Sequence, residues 1–280
     1  MSAGPTAPTE VHRSGSGPPL VLLHGAAMTW RAWDPVLEAL GEHHEVIAPT
    51  LPGHRGGPSW DRSAGSFTVD RLADGVCAQL DAEGVGTAHV VGNSLGGWVA
   101  LELVRRGRAR SAVAISPAGG WRSGWDLRRL VWTFRVLRVV SRPELAGVLA
   151  ARPRLRRVLV RRIMEHGERL APELVPDMIA DVRGCDVLVP LLDAAAAHGA
   201  TRALEELPCP VRIAWAERDH MIPWRAYGAP MRRIVPGAEF VRLPAVGHVP
   251  MWDDPALVVD TILGVTLPAE QARRAAREPA

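Results

Sequence analysis

Strand-length apolar runs at residues 20–23, 45–48, 88–92 and 111–115 alternate with stretches of helical periodicity along the first part of the chain. Over 68–83, Val69, Leu72, Ala73, Val76 and Leu80 recur at the spacing of one helix face, which predicts an amphipathic helix. A second helix is predicted over 95–107. Strand followed by helix, repeated, predicts an α/β fold: a mostly parallel central sheet with helices on both faces. The alternation stops after Gly120, and residues 121–207 carry long helical patterns with no convincing strand. It resumes with strands at 210–215 and 239–243. A last helix is predicted from Asp254-Pro255, with aspartate as N-cap and proline at the first helical position, to near Gly264. The expected organisation is a core of 1–120 and 208–268, a helical insertion of 121–207, and a polar, disordered tail of 269–280.

The run at 88–92 leads into Gly92-Asn93-Ser94-Leu95-Gly96-Gly97. A serine between two glycines, behind a strand and ahead of a helix, is the context of a nucleophile elbow. The turn is tight enough that bulky residues two positions either side of the serine would collide. It exposes the hydroxyl at a strand end and aims the Leu95 N–H, at a helix start, at whatever that hydroxyl attacks. So short a motif also arises by chance, so its weight depends on partners elsewhere.

A serine nucleophile needs a base, and the base needs an orienting acid. His248, in the loop between the last strand and the last helix, is the candidate base. Asp219, just past the strand at 210–215, is the candidate acid. Glu217 is a rival two residues away, while 116–121 contains no carboxylate, which favours Asp219. The order Ser94, Asp219, His248 is the order expected of an elbow-bearing hydrolase. All three are expected at the C-terminal edge of the sheet, where such sheets bind ligands. The oxyanion hole is expected from the backbone N–H groups of Leu95 and Ala26. His24 is expected to hold that loop, His220 to be a surface neighbour, and Asn93 to make structural hydrogen bonds.

With these pieces in order, the chain resembles the α/β-hydrolase fold family, in its esterase- and lipase-like serine hydrolases. The carrying residues are Leu22-Leu23-His24-Gly25, Gly92-Asn93-Ser94-Leu95-Gly96-Gly97, the Asp219 loop and Gly247-His248, spanning about 20–264. The resemblance implies that 121–207, an insertion after the family's sixth strand, is a mobile helical cap over the active site. Two positions depart from the family pattern. Ala216 stands where a glycine is expected before the acid loop. Thr50 and Arg55 replace the aspartate and second glycine of an Asp-x-Pro-Gly-x-Gly loop.

Composition adds little until charge is mapped. The 280 residues are 47% hydrophobic and 22% charged, an ordinary globular balance. All 33 basic residues are arginine. Residues 122–162 hold 12 arginines against Asp126 and Glu144, a local +10, whereas 163–207 hold 3 against 9 acids. The first of these segments is amphipathic. Its bland reading is a solvated face. Its sharper reading is weak attraction of 127–162 to an anionic membrane surface or substrate. The rest of the chain has no supporting basic surface, which argues against nucleic acid. Three scattered cysteines suggest a reducing compartment. With no recognisable secretory leader, the expected location is cytoplasmic. No histidine spacing suits a metal and no cofactor is expected. Of ten tryptophans, Trp30, Trp121, Trp125, Trp132 and Trp252 are candidates to line an apolar substrate pocket.

The expectation is a carboxylesterase-like serine hydrolase acting on an ester, lactone or thioester of a fairly apolar small molecule. The rivals are a carbon–carbon bond hydrolase of the ring-cleavage-product type, a cofactor-free lyase or haloperoxidase-like activity, and a slow-turnover small-molecule receptor. Oligomeric state is left open.

Overall fold

A computed structural model describes residues 8–61, 63, 65–198 and 200–276. Seven strands form one sheet in the order β1-β3-β2-β4-β5-β6-β7. They are β1 Val11–Gly15, β2 Pro19–Leu23, β3 Glu45–Pro49, β4 Ala88–Asn93, β5 Ala109–Ile115, β6 Val211–Ala216 and β7 Glu239–Leu243. β1 runs antiparallel to β3, and every other pairing is parallel. The six strands expected from apolar runs are present. β1 was not among them: its half-exposed Val11-His12-Arg13-Ser14-Gly15 carries no apolar run, and it is held as an edge strand by pairing with β3.

On one face of the sheet lie α2 Val69–Ala82 and α3 Leu95–Arg105, whose apolar residues pack with Val21, Val90 and Ala112 of the strands. On the other face α1 Asp34–Gly41 and α10 Pro255–Ala275 cover Leu20, Leu22, Val91 and Val113. Alternate residues of β2 and β4 thus feed two separate cores, as the two-residue period of a strand requires. Thr68 caps α2 by accepting from Arg71 N–H, and Asp254 caps α10 by accepting from Leu257 N–H at 3.0 Å.

Between β5 and β6 the chain leaves the sheet and forms α4 Gly124–Val140, α5 Pro143–Ala151, α6 Pro153–Val160, α7 Leu174–Arg183 and α8 Leu188–His198. The insertion follows β5, the fifth of the seven strands in chain order. A short α9, Ala229–Ile234, follows β6. Among the described residues, no helix is long and apolar enough to cross a membrane.

The end of α10 corrects two expectations. The helix does not stop near Gly264, and residues 269–275 are helical rather than a disordered tail; residues 277–280 lie outside the described residues. Pro268 interrupts the backbone ladder but not the helix, because tertiary contacts hold the last turns. Val265, Thr266 and Ala269 are buried. Thr266 Oγ1 bonds His44 Nε2 at 2.9 Å, and Glu270 lies 3.4 Å from His89 Nε2.

Candidate active site

The C-terminal ends of β2, β4, β6 and β7 bring the chemistry together. Ser94 sits between β4 and α3 with φ of 56° and ψ of −114°, a backbone conformation uncommon for a side-chain-bearing residue. The neighbouring glycines explain how the turn closes. A Cβ on Gly92 would lie 2.0 Å from the Gly96 carbonyl oxygen, and one on Gly96 would lie 2.0 Å from that of Leu23. Glycine at these positions is therefore a requirement of space. As the first residue of α3, Leu95 has an N–H with no intrahelical acceptor.

His248 Nδ1 lies 2.7 Å from Asp219 Oδ2, and both residues are buried. The other carboxylate oxygen of Asp219 accepts the N–H groups of Met221 and Ile222 at 2.9 and 2.8 Å. One oxygen thus locks the acid into its turn and leaves the other for the imidazole. The rival Glu217 points elsewhere: it accepts Ala245 N–H and pairs with Arg242. His220 is half exposed near Glu165, a surface position.

His24, fully buried, fixes the loop after β2. Leu51 N–H donates to its Nε2 at 2.9 Å, so the ring proton is on Nδ1, 2.8 Å from the Gly25 carbonyl. Burial, helped by His54 at a ring separation of 5.0 Å, holds His24 neutral with its pKa well below the ordinary value. It braces the backbone that carries Ala26. Asn93 does the same for the histidine loop: its amide donates to the Ile115 carbonyl at 3.2 Å and to the His248 carbonyl at 2.9 Å.

Ser94, His248, Gly25 and Ala26 face one cavity of about 120 Å³. Its remaining wall is mostly apolar, with Phe134 and Leu137 from α4, Val160 from α6, and Ile179 from α7. Of the five candidate tryptophans, only Trp252 is a wall residue. Trp30 stacks on His12 and donates to Thr9, and Trp121 packs edge-on against Trp98. Trp125 and Trp132 are 72% and 61% exposed, on the far side of α4 from the cavity. Burial raises all three cysteine thiols, Cys185 and Cys209 up to about 11 and Cys77 above its ordinary value, which leaves none as a ready thiolate.

Two groups of residues escaped the sequence. Asp253 is buried and accepts Gly247 N–H at 2.7 Å, Glu165 N–H at 2.9 Å and His166 N–H at 2.8 Å. It staples the histidine loop to the insertion, and Val249 N–H adds a bond to the Ile163 carbonyl. Gly247 permits the approach, since a Cβ there would lie 2.8 Å from Glu165 N. The departure at Arg55 makes the second tie: its guanidinium reaches Asp181 of α7 at 2.8 Å, and Arg31 reaches Asp177 at 3.3 Å. An arginine in a loop otherwise rich in glycine was the available signal.

The sequence pattern of the Alpha/beta hydrolase family matches residues 20–261. The chain belongs to that family. This hydrolase is 33% identical over 196 residues to an epoxide hydrolase, EphH, of Mycobacterium tuberculosis, covering 68% of this chain and 91% of that protein. It is 32% identical to a 2-hydroxymuconate semialdehyde hydrolase of a Pseudomonas species, over 49% of this chain and 55% of that one. Among solved structures it resembles a thermophilic esterase from Thermogutta terrifontis, with a TM-score of 0.71 and 23% identity over 92% and 93% of the two chains. The hydrolase fold and a hydrolytic family follow from these likenesses, while the bond that is cleaved differs among the relatives.

Proposed function

We propose that this hydrolase cleaves a carboxylic ester, lactone or thioester of a compact, apolar small molecule. The observation that carries the reading is the 2.7 Å His248–Asp219 pair, with His248 and a strained Ser94 facing one apolar cavity. His248 Nε2 takes the Ser94 proton as the hydroxyl attacks the carbonyl, while Asp219 keeps the imidazole in the required tautomer. The N–H groups of Ala26 and Leu95 stabilise the oxyanion. The protonated histidine then gives its proton to the leaving group, and water releases the acyl group from Ser94 by the reverse sequence. The helices of the insertion act as a cap that excludes bulk water.

The chemistry of the nucleophile separates this from epoxide opening. A serine oxygen attacking an epoxide carbon leaves a serine ether, which has no carbonyl for a second water to attack. Turnover by that route would stop after one event. A carbonyl substrate has no such dead end. The cavity volume is below the ~150 Å³ of an engineered cavity that holds benzene, so short or compact acyl groups should be favoured.

A fluorophosphonate probe should label the wild-type protein and not Ser94→Ala, and that substitution should lower kcat by about 10⁵–10⁶-fold. In a substrate panel, short-chain p-nitrophenyl esters should outperform long-chain esters, a vinylogous diketone and styrene oxide. Failure of folded wild-type protein to label would overturn the proposal. A diketone or epoxide as the sole good substrate would overturn the ester assignment.

A further inference from the structure

The large hydrophobic side chains exposed among the described residues are Trp125, Trp132, Val136, Val139, Val140, Val148, Val158 and Val189, and every one lies in the insertion. Four of them make a stripe on α4. At 3.6 residues per turn, Trp125, Trp132, Val136 and Val139 fall within about 60° of arc. Leu127, Leu130 and Phe134 occupy the opposite, buried side, where Phe134 lines the cavity. The helix therefore has two apolar faces, and only one is used in folding.

Charge indicates what the second face meets. Arg128 and Arg129 flank the stripe on either side and make no ion pair with any described residue; Arg128 lies 5.4 Å over the Trp125 ring. Few acids oppose them. Asp126 is tied to Ser123 and Arg122, Asp193 of α8 approaches Arg135 at 4.0 Å, and Glu144 is the remaining acid of segment 122–162. Indole rings and valines between guanidinium groups that have no acidic partner among the described residues suit the boundary between lipid headgroups and acyl chains. A purely electrostatic partner would leave the tryptophans unused, and a purely apolar one would strand the arginines.

We propose that the outer face of α4 docks this hydrolase on an anionic lipid surface. Docking buries the Trp125–Val139 stripe at the acyl boundary and sets the arginines among the headgroup phosphates. The inner face of α4 then presents its cavity wall directly behind the bilayer contact, where apolar esters are concentrated.

The test uses the full chain and phosphatidylcholine vesicles with and without phosphatidylglycerol, read by co-sedimentation. Binding should require the anionic lipid and weaken with added salt. Trp125→Ala with Trp132→Ala should reduce partition at least tenfold, and Arg128→Gln and Arg129→Gln about fivefold each. Thermal melts check folding, and Val139→Glu is a second, independent probe of the stripe. No sedimentation of the wild type with anionic vesicles at low salt would overturn the proposal. So would equal binding of the stripe variants, or a solution dimer that the tryptophan variant dissociates, which would make the face a contact between two copies of the chain.

Discussion

At the scale of single residues, Asp219 and Glu217 show how differently two carboxylates of one loop can be engaged. They stand two positions apart in one loop, yet Asp219 meets His248 Nδ1 while Glu217 holds Ala245 and Arg242. On the proposed mechanism, Asp219→Asn keeps the shape of the loop but offers an amide where the imidazole needs an acceptor. Steady-state kinetics should show kcat falling by about 10⁴-fold. Glu217→Gln should change kcat by no more than a few-fold, because its contacts lie at the surface of the loop. Comparable losses in both variants would mean that loop integrity, not the pair with His248, sets the rate.

At the scale of elements, the site depends on how the insertion is fastened to the sheet. Asp253 accepts one N–H from its own loop, at Gly247, and two from residues 165 and 166 far earlier in the chain. Asp253→Ala leaves all three buried or half-buried donors without a partner, and bonds to a charged acceptor are each worth about 1.5–3 kcal/mol. Stability should fall by about 3 kcal/mol or more, and kcat should fall with it as the His248 backbone loosens. An Asp253→Ala enzyme with unchanged kcat would show that the staple serves stability alone. This element marks the limit of what the chain discloses before folding. Strand ends were legible because apolar runs stop abruptly at Leu23, Gly92 and Ile115, and the elbow because its glycines are demanded by local geometry. Asp253 was not, because its partners at 165, 166 and 247 become neighbours only when the insertion folds back. The extension of α10 past Pro268 was hidden for the same reason: local propensity says stop, and His44 and His89, more than 170 residues earlier, supply the contacts that continue it. Trp125 and Trp132 were misplaced because periodicity identifies an apolar face without saying whether that face turns inward.

At the scale of the whole molecule, buried neutral histidines set how the fold responds to acid. His54 and His89 are buried, and burial pushes each from 6.5 down to about 4. His24 is held well below its ordinary value by burial in the same way. In the unfolded chain all three take up a proton near pH 6.5; in the folded chain they do not until the pH is much lower. Through these histidines the unfolded state binds more protons across this window, so their contribution to stability falls as pH drops from about 6.5 toward 4, offset in part by Asp34, which burial raises to about 6 and which therefore protonates first in the folded chain. Each such histidine contributes a slope of up to about 1.4 kcal/mol per pH unit, or about 3 kcal/mol for His54 and for His89 by pH 4. His89 is the cleaner probe, because it lies at the end of the sheet away from Ser94. It bonds Ser111 Oγ at 2.8 Å and faces His44 and Glu270, with Arg110 beyond. His89→Gln removes its titration while leaving a group able to bond Ser111. Urea unfolding measured between pH 7 and pH 5 should show the wild type losing stability and the variant losing less, by about 1 kcal/mol per pH unit, whatever its stability at neutral pH. Parallel curves for the two proteins would show that His89 keeps its ordinary proton affinity in the fold, and that the acid sensitivity comes from other buried groups such as His24, His44 and His54.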